Sequence, residues 1–278
     1  TEIEAPEGYK LPENPATEVT ITKAIPETLN ITNEKATGTV TVHHYIEGTI
    51  EKVPVANGGT ADDEIKTGSI GDIYATKARE DLSEGYELVS EPINASGIIT
   101  EEPIIVTYYY RLKKYPYTVN YIEKESGNIL HNAKQGDEVV YGSTIEAHNE
   151  IIEIDGYNYD SVDRETLTIT TEENVINIYY TKRTDLSYTV NYLEKDTNKV
   201  LHDQKVQNGM TFESVVNSSD EVISIYGYNY DSVDKDTLTI TTGENVINIY
   251  YTKKDTKVTV HYYEEGTTNK VSEDVEIP

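Results

Sequence analysis

Apolar and polar residues alternate with period two at the start of four stretches. Val40, Val42 and His44 form one, Tyr117, Val119 and Tyr121 a second, Tyr188, Val190 and Tyr192 a third, and Val258 opens a fourth. Such alternation predicts strands with one buried and one wet face. Similar runs close the first three stretches: Val106, Tyr108 and Tyr110; Ile176, Ile178 and Tyr180; Ile247, Ile249 and Tyr251. Thr-Leu-Thr-Ile-Thr before the second and third closings predicts a further β-branched strand. Helix-forming composition occurs only at Tyr74 to Leu82, with Ala75, Ala78 and Leu82 on one side, so each stretch is mostly β with at most a short helix.

The alternation repeats because the sequence does. Gly-Tyr-Asn-Tyr-Asp-Ser-Val-Asp stands at Gly156 to Asp163 and again 71 residues later at Gly227 to Asp234. Aligned at that offset, Tyr117 to Arg183 and Tyr188 to Lys254 share 38 identities in 67 positions. Of these, 24 fall in the 27 positions from Gly156 to Lys182, and only 14 in the 39 before them. A period this long predicts small domains in series, each with its own core, and the variable first half is where a difference in partner can be accommodated. The sequence divides at residues 1–37, 38–113, 115–184, 186–254 and 256–278. The last piece stops well short of the repeat length, so the sequence reads as part of a longer chain. Joints such as Arg111-Leu112-Lys113-Lys114 and Arg183-Thr184-Asp185 are short and poor in Gly and Ser, which predicts a semi-rigid, monomeric rod.

Charge narrows the partners. Fifty acidic against 23 basic residues give a net charge of −27, and no basic cluster is present. Nucleic acid and anionic membrane surfaces both require Lys and Arg and are excluded as partners. There is no cysteine, hence no disulfide, and 24 Tyr stand against one Phe and no Trp, as suits thin sheets whose aromatic rings end at water.

These residues carry a resemblance. The Val-x-Val-x-Tyr-type opening, Gly85-Tyr86-Glu87-Leu88 and the closing Val106-Thr107-Tyr108-Tyr109-Tyr110-Arg111 resemble the MucBP (mucin-binding protein) repeat of Gram-positive surface adhesins. The two later copies keep these landmarks with Gly-Tyr-Asn-Tyr in place of Gly-Tyr-Glu-Leu. The resemblance implies a ubiquitin-like β-grasp unit (α+β, mainly β), an extracellular, wall-anchored protein, no cofactor, and for some members binding to host mucin glycans or extracellular matrix. Residues 1–37 resemble the C-terminal end of a CnaB (SpaA-type pilin) domain, through Glu2-Ile3-Glu4-Ala5-Pro6-Glu7-Gly8-Tyr9 and the later Asn33-Glu34-Lys35. That resemblance implies a self-formed amide crosslink in which Glu2 promotes attack of a Lys, situated before residue 1, on Asn33.

Other candidate chemistry is weighed against plainer readings. Asp160-Ser161-Val162-Asp163 and its copy at Asp231 to Asp234 can gather oxygens for Ca²⁺, but they lack the Gly and terminal Glu of a calcium loop, and a capped turn is favoured. His43 and His44 are neighbours on a strand and point to opposite faces, and no histidine pair has ligand spacing, so no metal site is expected. Tyr157, Tyr159, Tyr228 and Tyr230 can stack on sugar rings with help from Asn158 and Asn177. Strand aromatics ordinarily serve cores, so packing is preferred. No nucleophile with its base, paired acid or phosphate loop is present, and no enzyme activity is expected. The leading functional reading is a stalk that projects an adhesive domain; the alternative is that the repeats bind glycan themselves.

Overall fold

The computed structural model describes residues 4–13, 16, 18, 30–255 and 257–277. Its packing divides into two compact units. The first comprises Thr1–Thr118, Gln135–Ile145 and Thr166–Val175; the second comprises Val119–Lys134, Glu146–Glu165 and Ile176–Pro278.

In the first unit the strand Thr37–Ile46 alternates buried and half-buried residues from Gly38 to Tyr45, as the sequence pattern requires. It sits inside a four-stranded sheet ordered Glu64–Ser69, Thr37–Ile46, Ile104–Leu112, Tyr86–Ser90. The first and last strands of the copy are therefore the central pair, and they run parallel, from Val40 opposite Ile104 to Ile46 opposite Tyr110. The apolar face of this sheet meets a small ribbon, Ile73–Ala75 against Ser96–Ile98. Val40, Val42, Val106, Tyr108 and Tyr110 are fully buried there beside Val53, Ala61 and Ile99. Large side chains on this face exclude water from the ladder, and the burial supplies the main driving force for a unit without disulfides.

The second unit repeats the plan. Val200–Met210, Leu186–Glu194, Val246–Lys253 and Tyr228–Val233 form one sheet, with the parallel central pair running from Thr189 opposite Val246 to Glu194 opposite Tyr251. Its core gathers Val190, Tyr192, Ile240, Ile247, Ile249 and Tyr251. A further sheet has the order Ile129–Gln135, Thr118–Glu123, Val175–Lys182, Tyr157–Val162. Near the C-terminal end, Val258–Val260 pairs with Val275–Ile277.

Two expectations need correction. Tyr74 to Leu82 is not helical: it begins in the strand Ile73–Ala75, and Leu82 bridges to Val55. The amides are used sideways, that of Thr76 donating to the Ala95 carbonyl at 2.8 Å and that of Arg79 to the Tyr110 hydroxyl at 2.8 Å. At the aligned place in the later copies stand single 3₁₀ turns, Ala147–Glu150 and Ser218–Glu221. Asp160-Ser161-Val162 is not a turn but part of the strand Tyr157–Val162, with a bulge between Tyr159 and Ser161. The bulge turns Asp160 toward Lys124 Nζ at 2.5 Å, and Asp163 accepts the amide and the carboxamide of Asn177 at 2.9 and 3.1 Å. These carboxylates are engaged separately, and among the described residues no group of three or more His, Asp or Glu can hold a metal ion.

Candidate functional site: the Gly-Tyr joint and the tyrosine groove

The landmark Gly-Tyr turn receives a side chain from far downstream. In the second unit Gly156 has φ of +80° and passes under the ring of Phe212. A Cβ at Gly156 would lie 2.4 Å from Phe212 Cε1 and Cζ, so no other residue fits without moving the ring. The backbone closes around this contact. Arg183 donates its amide to the Gly156 carbonyl at 2.9 Å, Phe212 to Arg183 at 2.8 Å, and Glu213 to Ile240 at 2.8 Å. Beside them Thr242 donates its hydroxyl to Asp155 at 2.9 Å, Lys182 pairs with Glu213 at 2.9 Å, and Tyr157 meets Phe212 edge to face at 5.6 Å. Burial there pushes the Tyr157 phenol above its ordinary pKa, with Glu123 and Glu213 adding to the shift.

The first unit contains the same joint with different side chains. Gly85, at φ +87°, lies under Tyr141, whose Cδ1 would be 2.4 Å from an added Cβ. Lys113 donates to Gly85 at 2.7 Å, Tyr141 to Lys113 at 2.9 Å, and Gly142 to Ile169 at 2.9 Å. Thr171 bonds Glu84 as Thr242 bonds Asp155, and the Tyr141 hydroxyl adds a bond to Glu84 at 3.2 Å. An aliphatic version precedes it. Gly8, at φ +80°, accepts from Ala36 at 2.8 Å; Ile70 donates to Ala36 at 2.8 Å and sets its Cγ2 3.8 Å from where a Gly8 Cβ would be. Ile70, Tyr141 and Phe212 are spaced 71 residues apart, so one position of the variable half supplies the inserting side chain each time.

The candidate tyrosines separate into two kinds. Tyr157 and Tyr228 are half-buried; Tyr157 packs on Phe212, and the Tyr228 hydroxyl donates to Glu194 at 3.2 Å. Tyr159 and Tyr230 are 45% and 49% exposed, each set edge-on to a buried tyrosine, Tyr180 at 6.4 Å and Tyr251 at 6.3 Å. A groove of about 740 Å³ runs along Ile151–Tyr159 to Tyr180, Arg183 and Asp185. Asn158 is exposed there, but Asn177 is committed to Asp163 and Asn120 and offers little to a sugar. Glu2 lies outside the described residues; Asn33 is half-buried and precedes the strand Glu34–Lys35, which pairs with Tyr9–Lys10.

The glycine landmark is legible in the sequence, and the side chain it receives is not. Phe212, the single Phe of the chain, aligns with Tyr141 inside the divergent half, and that retained ring was the available signal.

Among known proteins, two Internalin J sequences of Listeria monocytogenes are similar. The serotype 4b (strain F2365) protein is 29% identical over 238 residues, which is 82% of this chain and 24% of the relative. The serovar 1/2a (strain ATCC BAA-679 / EGD-e) protein is 30% identical over 247 residues, 84% of this chain and 27% of the relative. The chain thus spans about a quarter of the length of these curated relatives. Among solved structures, the Bacillus anthracis TIE protein aligns with 80% of this chain and 51% of its own at 14% identity and a TM-score of 0.39. Domains 3–4 of the Streptococcal High Identity Repeats in Tandem from a cell surface protein align with 50% of this chain and 98% of their own at 12% identity and a TM-score of 0.23. With both scores below 0.5, the fold rests on the strands described above. The MucBP domain matches residues 39–111 and 116–181, half of the sequence, and the chain belongs to the MucBP domain family.

Proposed function

We propose that this chain is the repeat region of a bacterial cell-surface adhesin and acts as a semi-rigid stalk that holds an adhesive domain away from the cell. The observation that carries the reading is the joint: a ring seated on a glycine that admits no Cβ, fixed by backbone bonds on either side, with the same plan at Gly85 and Gly156. A linker built only for tethering has no use for such a contact. Family membership and the two Internalin J relatives support the surface location; wall anchoring is part of the proposal. So are the divisions at 38–113, 115–184 and 186–254, and a β-grasp assignment, which the parallel pairing of first and last strands supports.

A second reading has its own observation. The groove beside Tyr159, with Asn158 and Arg183 on its walls, offers a ring edge and polar groups to a glycan. Retention of the whole chain on immobilised mucin, before and after deglycosylation, separates the two. The stalk reading expects no retention. Retention that is lost both on deglycosylation and in Tyr159→Ser with Tyr230→Ser replaces it with the binding reading.

Residues 1–37 are proposed to end a CnaB-type domain crosslinked through Asn33 with Glu2 as promoter. Intact mass of the chain extended upstream is expected to be short by one ammonia, and Glu2→Ala to restore it; an unchanged mass removes the crosslink.

A further inference from the structure

The two strands at the ends of each copy are neighbours, and this sets how the copy meets a pull. In the third copy Leu186–Glu194 and Val246–Lys253 run parallel through six successive pairs; in the first, the parallel pairing of Thr37–Ile46 with Ile104–Leu112 runs through seven. The ladder is closed at both ends, by Thr189 donating to Asn245 at 2.9 Å and Lys195 to Tyr251 at 2.8 Å, and in the second copy by Thr118 to Asn174 and Lys124 to Tyr180, both at 2.9 Å. The chain enters at the start of one strand and leaves at the end of the other, at opposite ends of the parallel pair. Tension along the chain then draws the strands lengthwise past each other, and all ladder bonds must yield together. Strands pulled from a common end open one bond at a time.

Side chains fasten the same pair. Asn191 Nδ2 donates to Asn248 Oδ1 at 2.9 Å, and Asn245 Nδ2 donates to the Ser187 carbonyl at 3.1 Å. Asp234 grips Asn248 from the far side, accepting its amide at 2.9 Å and its carboxamide at 3.0 Å. Asn120 and Asn177 make the equivalent bond in the second copy at 2.9 Å. These bonds cross the plane along which the strands would slide.

We infer that each repeat is a load-bearing clamp: its central parallel strands, riveted by the Asn191–Asn248 and Asn245–Ser187 bonds, are arranged to resist stretching force applied through the chain ends. The inference deepens the stalk reading, on which its biological use rests, but the mechanics stand independently of whether the repeats bind glycan. Resistance to force follows the barrier to unfolding rather than equilibrium stability, so it is measured by pulling.

The absence of cysteine makes attachment points free to choose. In the full chain, Ser187→Cys with Lys253→Cys loads the third repeat along its natural direction, and Ser187→Cys with Glu244→Cys loads the same pair from one end. Single-molecule pulling at equal loading rates is expected to give a several-fold higher unfolding force for the first pair, with roughly 200 Å of chain released. In the first pair, Asn248→Ala is expected to lower that force. Equal forces in the two geometries overturn the clamp, and an unchanged force in Asn248→Ala overturns the rivets. Either result leaves the stalk reading to its own mucin-retention test.

Discussion

Replacing Gly156 with Ala tests the joint where its geometry is tightest. The new Cβ would sit 2.4 to 2.5 Å from three atoms of the Phe212 ring, about 1 Å inside ordinary van der Waals contact. It would also occupy φ of +80°, where an L-residue costs about 1–2 kcal/mol. Overpacking of this kind adds about 1–3 kcal/mol unless the ring can leave. Gly227→Ala is the internal control, since Gly227 has φ of +81° but no atom within 4 Å of its added Cβ. Comparing each variant at its own turn, through the Arg183 amide on Gly156 and the Lys254 amide on Gly227, both at 2.9 Å, isolates the ring contact from the backbone term. The joint can relieve the clash by opening, which caps the cost at what the joint itself is worth and leaves the cores folded. Native-state hydrogen exchange therefore reports it better than a melting curve. Protection of the Phe212 and Glu213 amides is expected to fall about 10- to 100-fold in Gly156→Ala, corresponding to about 1.4–2.8 kcal/mol, while the core amide of Ile249 changes little. Gly227→Ala should leave the Phe212 and Glu213 amides nearly unchanged, its backbone cost falling on its own turn, where Lys254 donates to the Gly227 carbonyl at 2.9 Å, and Phe212→Ala added to Gly156→Ala should cost less than the two changes summed. Equal effects of Gly156→Ala and Gly227→Ala on the Phe212 amide would refute the reasoning.

Acid should weaken the first copy selectively. His44 is fully buried, with Nδ1 2.9 Å from the Tyr110 hydroxyl, and burial lowers its pKa below the ordinary value of about 6.5, although Glu64 opposes the shift. Below that value the unfolded chain takes up a proton that the folded chain resists, so the contribution is full above about pH 6.5 and is lost progressively on acidification. Exchange of the Val42 and Tyr108 amides between pH 7.5 and 5.5 should show this loss, and His44→Phe should abolish it; a slope unaffected by His44→Phe would count against the assignment. Asn245→Ala should destabilise the third copy by about 2–3 kcal/mol in urea unfolding, since the buried carboxamide holds the Thr241 amide at 2.9 Å and the Thr241 carbonyl at 2.9 Å. A loss below about 0.5 kcal/mol would mean that these groups find water instead.

Period two at Val40, Val42 and His44 and at Ile247, Ile249 and Tyr251 was enough to place the opening and closing strands and the buried face, because a half-buried strand must alternate. Helix propensity at Tyr74 to Leu82 misled, because Tyr110 and Ala95 compete for the amides a helix would use, and those partners are distant in sequence. Asp160 looked like a turn residue because a bulge and a turn draw on the same residue types. Among the candidate sugar contacts, the exposed rings of Tyr159 and Tyr230 could not be told by spacing from the packed rings of Tyr157 and Tyr228. The joint was illegible for a different reason. Gly156 and Phe212 are 56 residues apart, and a single contact over that distance leaves no periodic trace; only the repeated ring at Tyr141 and Phe212 recorded it.

The central claim, that joints between copies hold the array stiff, is tested most directly by spin-label distance distributions in solution. Glu125 and Lys199 are exposed at the ends of corresponding hairpins, and Glu125→Cys with Lys199→Cys places one label in each of two consecutive copies. A single narrow distribution is expected, broadening when Phe212→Ser and Thr242→Val remove the ring and the bond to Asp155. A broad distribution in the unaltered joint, or one that Phe212→Ser and Thr242→Val leave unchanged, would contradict it.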